Sequence, residues 1–196
     1  VLGAVDLIAC EDTRVTGKLL KAHGIATRMF AYHDHNAERV RPVLIERLGR
    51  GEKMALVSDA GMPLVSDPGF RLVRECIARG IPVFPLPGPS AALAALVAAG
   101  LPTDRFLFAG FLPNKTEARR KALAEIADVR ATLVFYESPH RLADALADKD
   151  AALGTREAAV ARELTKLYEE LRRGTLAELA AQYAEAPTPK GETRPW

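Results

Sequence analysis

Two cysteines, one tryptophan and an almost even balance of charge leave this 196-residue sequence without several common signatures. Cys10 and Cys76 sit far apart and in no Cys-x-x-Cys or Cys/His spacing, which speaks against a disulfide framework or a thiolate metal site. Each lies in an apolar stretch and reads as a small buried thiol in a reducing compartment. No run approaches the roughly 18 uninterrupted apolar residues of a membrane span, and no signal peptide is visible, so the expected location is the cytoplasm. The net charge of +2 sets up no global basic field, so any nucleic-acid face must come from local clustering. There is neither a Gly-Lys-Ser/Thr phosphate loop nor a Gly-x-Gly-x-x-Gly turn, which disfavours phosphoryl transfer and ordinary dinucleotide binding. The initial Met is lacking too: the sequence opens directly on Val1-Leu2-Gly3-Ala4-Val5 and closes on a polar, Pro-containing stretch from Thr188 to Trp196, and a truncated chain is the expectation.

What is present is an ordinary globular composition, 48% hydrophobic and 27% charged, enough for one large or two small cores. Short apolar runs alternate with amphipathic segments, the pattern of an α/β protein with mostly parallel strands. Strands are expected at 5–10, 53–58, 81–86, 105–111, 132–137 and 157–163. Helices are expected at 13–23, closed by Gly24, and at 39–48, 91–99, 116–128 and 175–184. Asp67-Pro68 and Ser138-Pro139 each pair a capping residue with proline at the first helical position and so open two more. A connection at Leu101-Pro102-Thr103-Asp104 divides the sequence into an N-terminal α/β domain, 1–100, and a C-terminal one, 101–196. One echo occurs: Ser58-Asp59-Ala60-Gly61 returns as Ser66-Asp67-Pro68-Gly69, read as two turns flanking one loop.

Three strands run into loops rich in Gly, Pro and polar residues: Ser58-Asp59-Ala60-Gly61-Met62-Pro63, Pro87-Gly88-Pro89-Ser90-Ala91, and Tyr136-Glu137-Ser138-Pro139-His140-Arg141. Parallel sheets bind ligands beyond the carboxyl ends of their strands, and glycines there allow close approach of backbone N–H groups. A ligand with a carboxylate, an amine, a ribose and an aromatic base would suit such a lining. Tight turns alone would produce similar sequences.

These blocks, with Leu7 to Arg14, Ala31 to Asn36, Val57 to Gly69, Gly110-Phe111-Leu112-Pro113 and Ala161 to Lys166, resemble the ribosomal-RNA-modifying branch of the tetrapyrrole methylase superfamily from about Val1 to Gly191. The resemblance implies two α/β domains of the tetrapyrrole methylase type with a cofactor cleft between them, S-adenosyl-L-methionine as cofactor, and a homodimer. It implies 2′-O-methylation of a cytidine ribose in small-subunit (16S) ribosomal RNA, as free RNA or in the assembled small subunit. Carried onto matching positions, Ser58, Asp59, Ala60, Gly61, Met62, Pro63, Ser90 and Ala91 would line the cofactor, with Phe111 and Tyr136 closing over it. Two departures stand out. Similar proteins begin with a further strand and a Pro-Ile-Gly-Asn-Leu-type loop, and they continue past Lys190-Gly191-Glu192 into a last strand. Both are lacking here, which implies lower stability or activity.

A neutral ribose hydroxyl is a poor nucleophile, so a base should assist it. The candidates on polar loops are Glu11, Asp12, His33, Asp34, His35 and Glu137, although Asp12 or Thr13 could serve only as a helix cap and Glu137 could simply pair with Arg141. The two histidines, at i and i+2 with no further ligand nearby in sequence, do not make a metal site. Three basic clusters could meet phosphate: Arg14 and Lys18 with Lys21; Lys115, Arg119, Arg120 and Lys121; and Arg162 and Lys166 with Arg172 and Arg173, with Arg141 beside them. Such runs are also common on solvated helix faces. Two further readings stand beside RNA methylation: a tetrapyrrole methyltransferase, and a truncated binding domain without catalysis.

Overall fold

In the computed structural model, residues 1–186 are described; the polar stretch at 188–196, and with it the expected loss of a last strand, lies outside the described residues. The chain divides into two compact units, Val1–Pro89 and Ser90–Trp196.

The first unit is built on three parallel strands, β1 (Leu7–Cys10), β2 (Met29–Ala31) and β3 (Met54–Val57), in the order β2-β1-β3. Parallel pairing requires a crossover, and α1 (Thr13–Ala22) and α2 (Ala37–Gly49) supply them. All four residues of β1 are buried because the strand is covered on both faces. Leu7 and Ala9 face Leu44 and Ile45 of α2 and Leu72 and Cys76 of α3 (Phe70–Ala78); Ile8 and Cys10 face Leu20 of α1. The two crossovers therefore pass on opposite faces of the sheet. Both cysteines are buried and free, as their apolar surroundings in the sequence implied.

The second unit holds a parallel pair, β4 (Phe106–Phe111) with β5 (Thr132–Tyr136), and an antiparallel pair, β6 (Glu157–Arg162) with β7 (Glu170–Thr175). Helices α4 (Ala91–Ala99), α5 (Thr116–Ala124), α6 (Pro139–Leu153) and α7 (Leu176–Glu185) accompany them. A capping box between Thr175 and Glu178 starts α7, whose Leu176, Leu179 and Tyr183 pack with Leu146 of α6. β5 and β6 are not paired with each other, and both line a cavity of about 860 Å³ walled largely by Leu133, Phe135, Leu142, Leu146 and Val160.

Four expectations change. Residues 81–86 form no strand: Pro82 and Pro85 lack the N–H a ladder needs, and Phe84 is 82% exposed. β2 and β7 are additional strands, one only three residues long and the other carrying Glu170, Arg172 and Arg173. α3 begins at Phe70, with Gly69 at its cap and not Asp67. The division falls before α4 and not after it, because Arg173 of β7 donates to the carbonyls of Ala98 (2.6 Å) and Ala99 (3.0 Å) and ties that helix to the second unit.

Candidate functional site

Strand order β2-β1-β3, with crossovers on opposite faces, creates a topological switch point between the carboxyl ends of β1 and β3. An open α/β sheet offers its ligand crevice at that point. Glu11 and Asp12 follow β1 there, Tyr32 to Asn36 follow β2, and Ser58 begins the loop after β3.

The carboxylates at these three strand ends differ in chemistry. Asp12 caps α1, accepting the backbone N–H of Arg14 at 2.7 Å and the Arg14 guanidinium at 2.7 Å. Those bonds hold its carboxyl down at about 2, so Asp12 is an anion engaged as a cap and Thr13 is merely the first helical residue. Glu11 is pushed the other way, upward, first by burial and then by the negative charges of Asp67, Asp59, Asp34 and Asp12. Its Oε2 is buried with no hydrogen-bond partner among the described residues. In the β2 loop, Asn36 accepts from the His33 backbone N–H and donates to the Ala31 carbonyl, both at 2.9 Å, which fixes the turn. The His33 and His35 rings meet edge to face at 5.9 Å, and Asp34 is exposed. Among the described residues no group of three or more His, Cys, Asp or Glu could hold a metal.

The loop after β3 is unusual in its backbone. Leu64 (φ 72°) and Ser66 (φ 61°) adopt the left-handed region, which costs a residue with a side chain of order 1 kcal/mol. Gly69 (φ 133°) closes the loop in a conformation only glycine takes easily, and a Cβ there would lie 2.7 Å from Leu56 Cδ2. The repeated Ser-Asp-x-Gly echo acquires a meaning: Ser58 of the first copy donates to Asp67 of the second. Met62 packs under the Pro87-Gly88-Pro89 turn, where a Cβ on Gly88 would come within 3.2 Å of the Met62 sulfur. Two of the three Gly/Pro-rich loops thus meet within the first unit.

In the second unit Ser90 caps α4 by accepting from the Leu93 N–H, with Ala91 as the first helical residue. Tyr136 packs edge-on against Phe108 (4.9 Å between centroids) and tilted against Phe111 (5.4 Å). Glu137, another of the candidate bases, has a side chain 5% exposed, accepts from the Ser138 N–H at 2.8 Å and lies 3.4 Å from Arg141 Nε, and its Oε2 is buried with no hydrogen-bond partner among the described residues. Arg141 binds Asn114 Oδ1 (2.6 Å) and the carbonyls of Leu112 (2.9 Å) and Pro113 (3.1 Å), joining the loops after β4 and β5. Arg119 is a further correction. It is 2% exposed and donates to the equally buried Asp148 at 2.6 Å, so it presents nothing to a phosphate. Arg120 bonds the same carboxylate from the surface, Arg162 bonds Glu170 at 2.5 Å, and Lys166 lies 3.4 Å from Glu163. Lys18, Lys21, Lys115 and Lys121 are exposed.

Two residues escaped the sequence reading. Lys149 is buried over the Phe135 ring at 4.8 Å, and burial depresses its ammonium to about 8. Nothing in a helical lysine at 149 signals this. Asp67 was readable only as a cap, and its partner could be inferred only from the echo.

The family profile of tetrapyrrole (corrin/porphyrin) methylases matches residues 1–180. The chain is 58% identical to "Ribosomal RNA small subunit methyltransferase I" of Mesorhizobium japonicum, an alignment covering 97% of this chain and 65% of the relative. It is 54% identical to the protein of that name from Escherichia coli O157:H7, covering 94% and 65%. The chain therefore spans about 65% of the length of these curated relatives. Among solved structures it is similar to a cobalamin-biosynthetic cobalt precorrin-4 methyltransferase (TM-score 0.64, 16% identity, 93% of this chain and 80% of that one). It is also similar to uroporphyrin-III C-methyltransferase from Thermus thermophilus in complex with S-adenosylhomocysteine (TM-score 0.59, 20% identity, 95% and 84%).

Proposed function

The chain belongs to the tetrapyrrole methylase family, and on that premise we propose that it methylates the 2′-hydroxyl of a cytidine ribose in small-subunit (16S) ribosomal RNA. The observation that carries the proposal is the identity of 50–58% to relatives named for that RNA, over more than nine-tenths of the chain. Both solved structures of tetrapyrrole enzymes are 20% identical or less, so they support the fold and do not favour a tetrapyrrole substrate.

The residues fit S-adenosylmethionine on their own chemistry. A cluster of carboxylates, including a buried Glu11 oxygen without a hydrogen-bond partner, suits a ligand carrying a sulfonium and an ammonium group. Gly61 (φ 77°) leaves its backbone open to close approach. In this proposal Ser58 to Pro63, Ser90, Ala91, Phe111 and Tyr136 bind the cofactor, which supplies an electrophilic methyl group. The chain's own contribution is to align the acceptor oxygen and to take its proton. Glu11 is the favoured base: its raised proton affinity matches the task better than the Asp12 anion, which is committed to the α1 cap. His33 and Asp34 lie on the neighbouring loop. Lys18 and Lys115, both exposed, are the proposed phosphate contacts, joined by Arg14, Arg120 and Lys166. A homodimer belongs to the same proposal, with free ribosomal RNA or the assembled small subunit as substrate, as does a cytoplasmic location; no helix among the described residues is long and apolar enough to cross a membrane.

The test is thermal unfolding with and without S-adenosylmethionine, followed by methylation of small subunits. A ligand at a hundred times its Kd adds about 2.7 kcal/mol, roughly 5–10 °C here. No shift at millimolar cofactor would leave the binding-domain reading in place of catalysis.

A further inference from the structure

Resting on that reading of the β3 loop as a cofactor loop, we propose that Asp67 is its positioning residue: through Ser58 it fixes the 58–61 turn against the strand end. Ser58 has a single proton and two acceptors in reach, Asp67 Oδ2 and the Ala60 carbonyl at 3.0 Å, while its own oxygen faces the Ala60 N–H at 3.3 Å. With Asp67 ionised, the Ser58 proton goes to the carboxylate and the Ala60 carbonyl is released to a ligand. With Asp67 protonated, Asp67 donates into Ser58, and Ser58 in turn engages Ala60. One proton therefore decides which groups of the turn are free.

The loop depends on such a tie. Between Ser58 and Asp67 the backbone passes through left-handed conformations at Gly61, Leu64 and Ser66, which no helix or ladder holds in place. The groups facing Asp67 are Ser58 after β3, Asp34 after β2 and Glu11 after β1; each of the two acids disfavours a second negative charge. Burial acts in the same direction, and only the Ser58 bond opposes it.

The experiment measures S-adenosylmethionine affinity by calorimetry across pH for the full chain and for Asp67→Ala, Asp67→Asn and Ser58→Ala. Asp67→Ala and Ser58→Ala should each weaken binding about tenfold, the equivalent of about 1.4 kcal/mol. Asp67→Asn, whose amide can both accept and donate, should restore affinity to within about threefold and remove the pH dependence. Comparable affinity in wild type and Asp67→Ala overturns the positioning role while leaving the cofactor reading intact. So does an Asp67→Asn profile that keeps the wild-type pH dependence. Absence of binding by the wild type overturns the cofactor reading itself. Should Asp67→Ala fail to fold, Ser58→Ala removes the same hydrogen bond from the other end, and wild-type affinity there is also an overturning result.

Discussion

Asp67 in the first unit and Asp148 in the second are both largely shielded carboxylates, yet their surroundings drive them apart. Around Asp67 the charged neighbours are acids, and burial together with Asp34 raises its proton affinity. Around Asp148 burial acts the same way, but hydrogen bonds from Arg120 and Arg119 overcome it and hold the carboxyl below its ordinary 3.8. A fully partnered carboxylate stabilises a fold and has little left to offer a ligand. A crowded one, held by a single serine, is poised to respond to whatever cation or proton arrives. The contrast separates structure from candidate function more cleanly than residue type does, since both are aspartates, one in a loop and the other inside α6.

The largest expected effect falls on the paired site. Asp148→Ala leaves the Arg119 guanidinium buried without its counter-charge and should lower stability by about 3–5 kcal/mol in denaturant unfolding. A loss below about 1 kcal/mol would erase the distinction between the two carboxylates. Next comes pH. Because the folded state lowers the Asp148 pKa, the stability it contributes is present above 3.8 and is lost as pH falls through the folded value. Glu11 and Asp67 have the opposite sign: their contribution is complete below the unfolded value and is lost as pH rises through the raised folded one. Melting temperatures across pH 3–8 should accordingly lose their acid limb in Asp148→Asn and flatten on the alkaline side in Asp67→Asn. The smallest effect is Arg120→Ala. Its side chain is 58% exposed, so the loss should stay within about 1 kcal/mol, with methylation changed only if the arginine also meets phosphate.

The sequence carried much of this architecture where hydrophobic patterning was strong. β1, β3, β5 and α4 are apolar runs bounded by turn residues, and the structure places them within a residue or two of expectation. β7 was unreadable because Arg172 and Arg173 interrupt its apolar pattern: Arg172 bonds Glu170 of the same strand and lies over the Tyr183 ring, and Arg173 reaches the carbonyls of α4, contacts that hydropathy does not show. The false strand at 81–86 had the right hydropathy and the wrong backbone chemistry, with prolines where donors were needed. Of the candidate site, the loops were legible and the partnerships were not. Arg119 and Lys18 look alike in sequence; only packing shows that one is sealed against Asp148 and the other is free to meet solvent.

Gly69 has an implication for how this sequence can drift over evolutionary time. Its φ of 133° and the 2.7 Å approach of Leu56 make almost any replacement unfavourable on two independent grounds. Relaxing the contact by shrinking Leu56 would leave the dihedral penalty untouched, so no single compensating change reopens the position. The residue is an entrenched site, and lineages carrying this loop should vary at Ser66 or Leu64 long before they vary at Gly69.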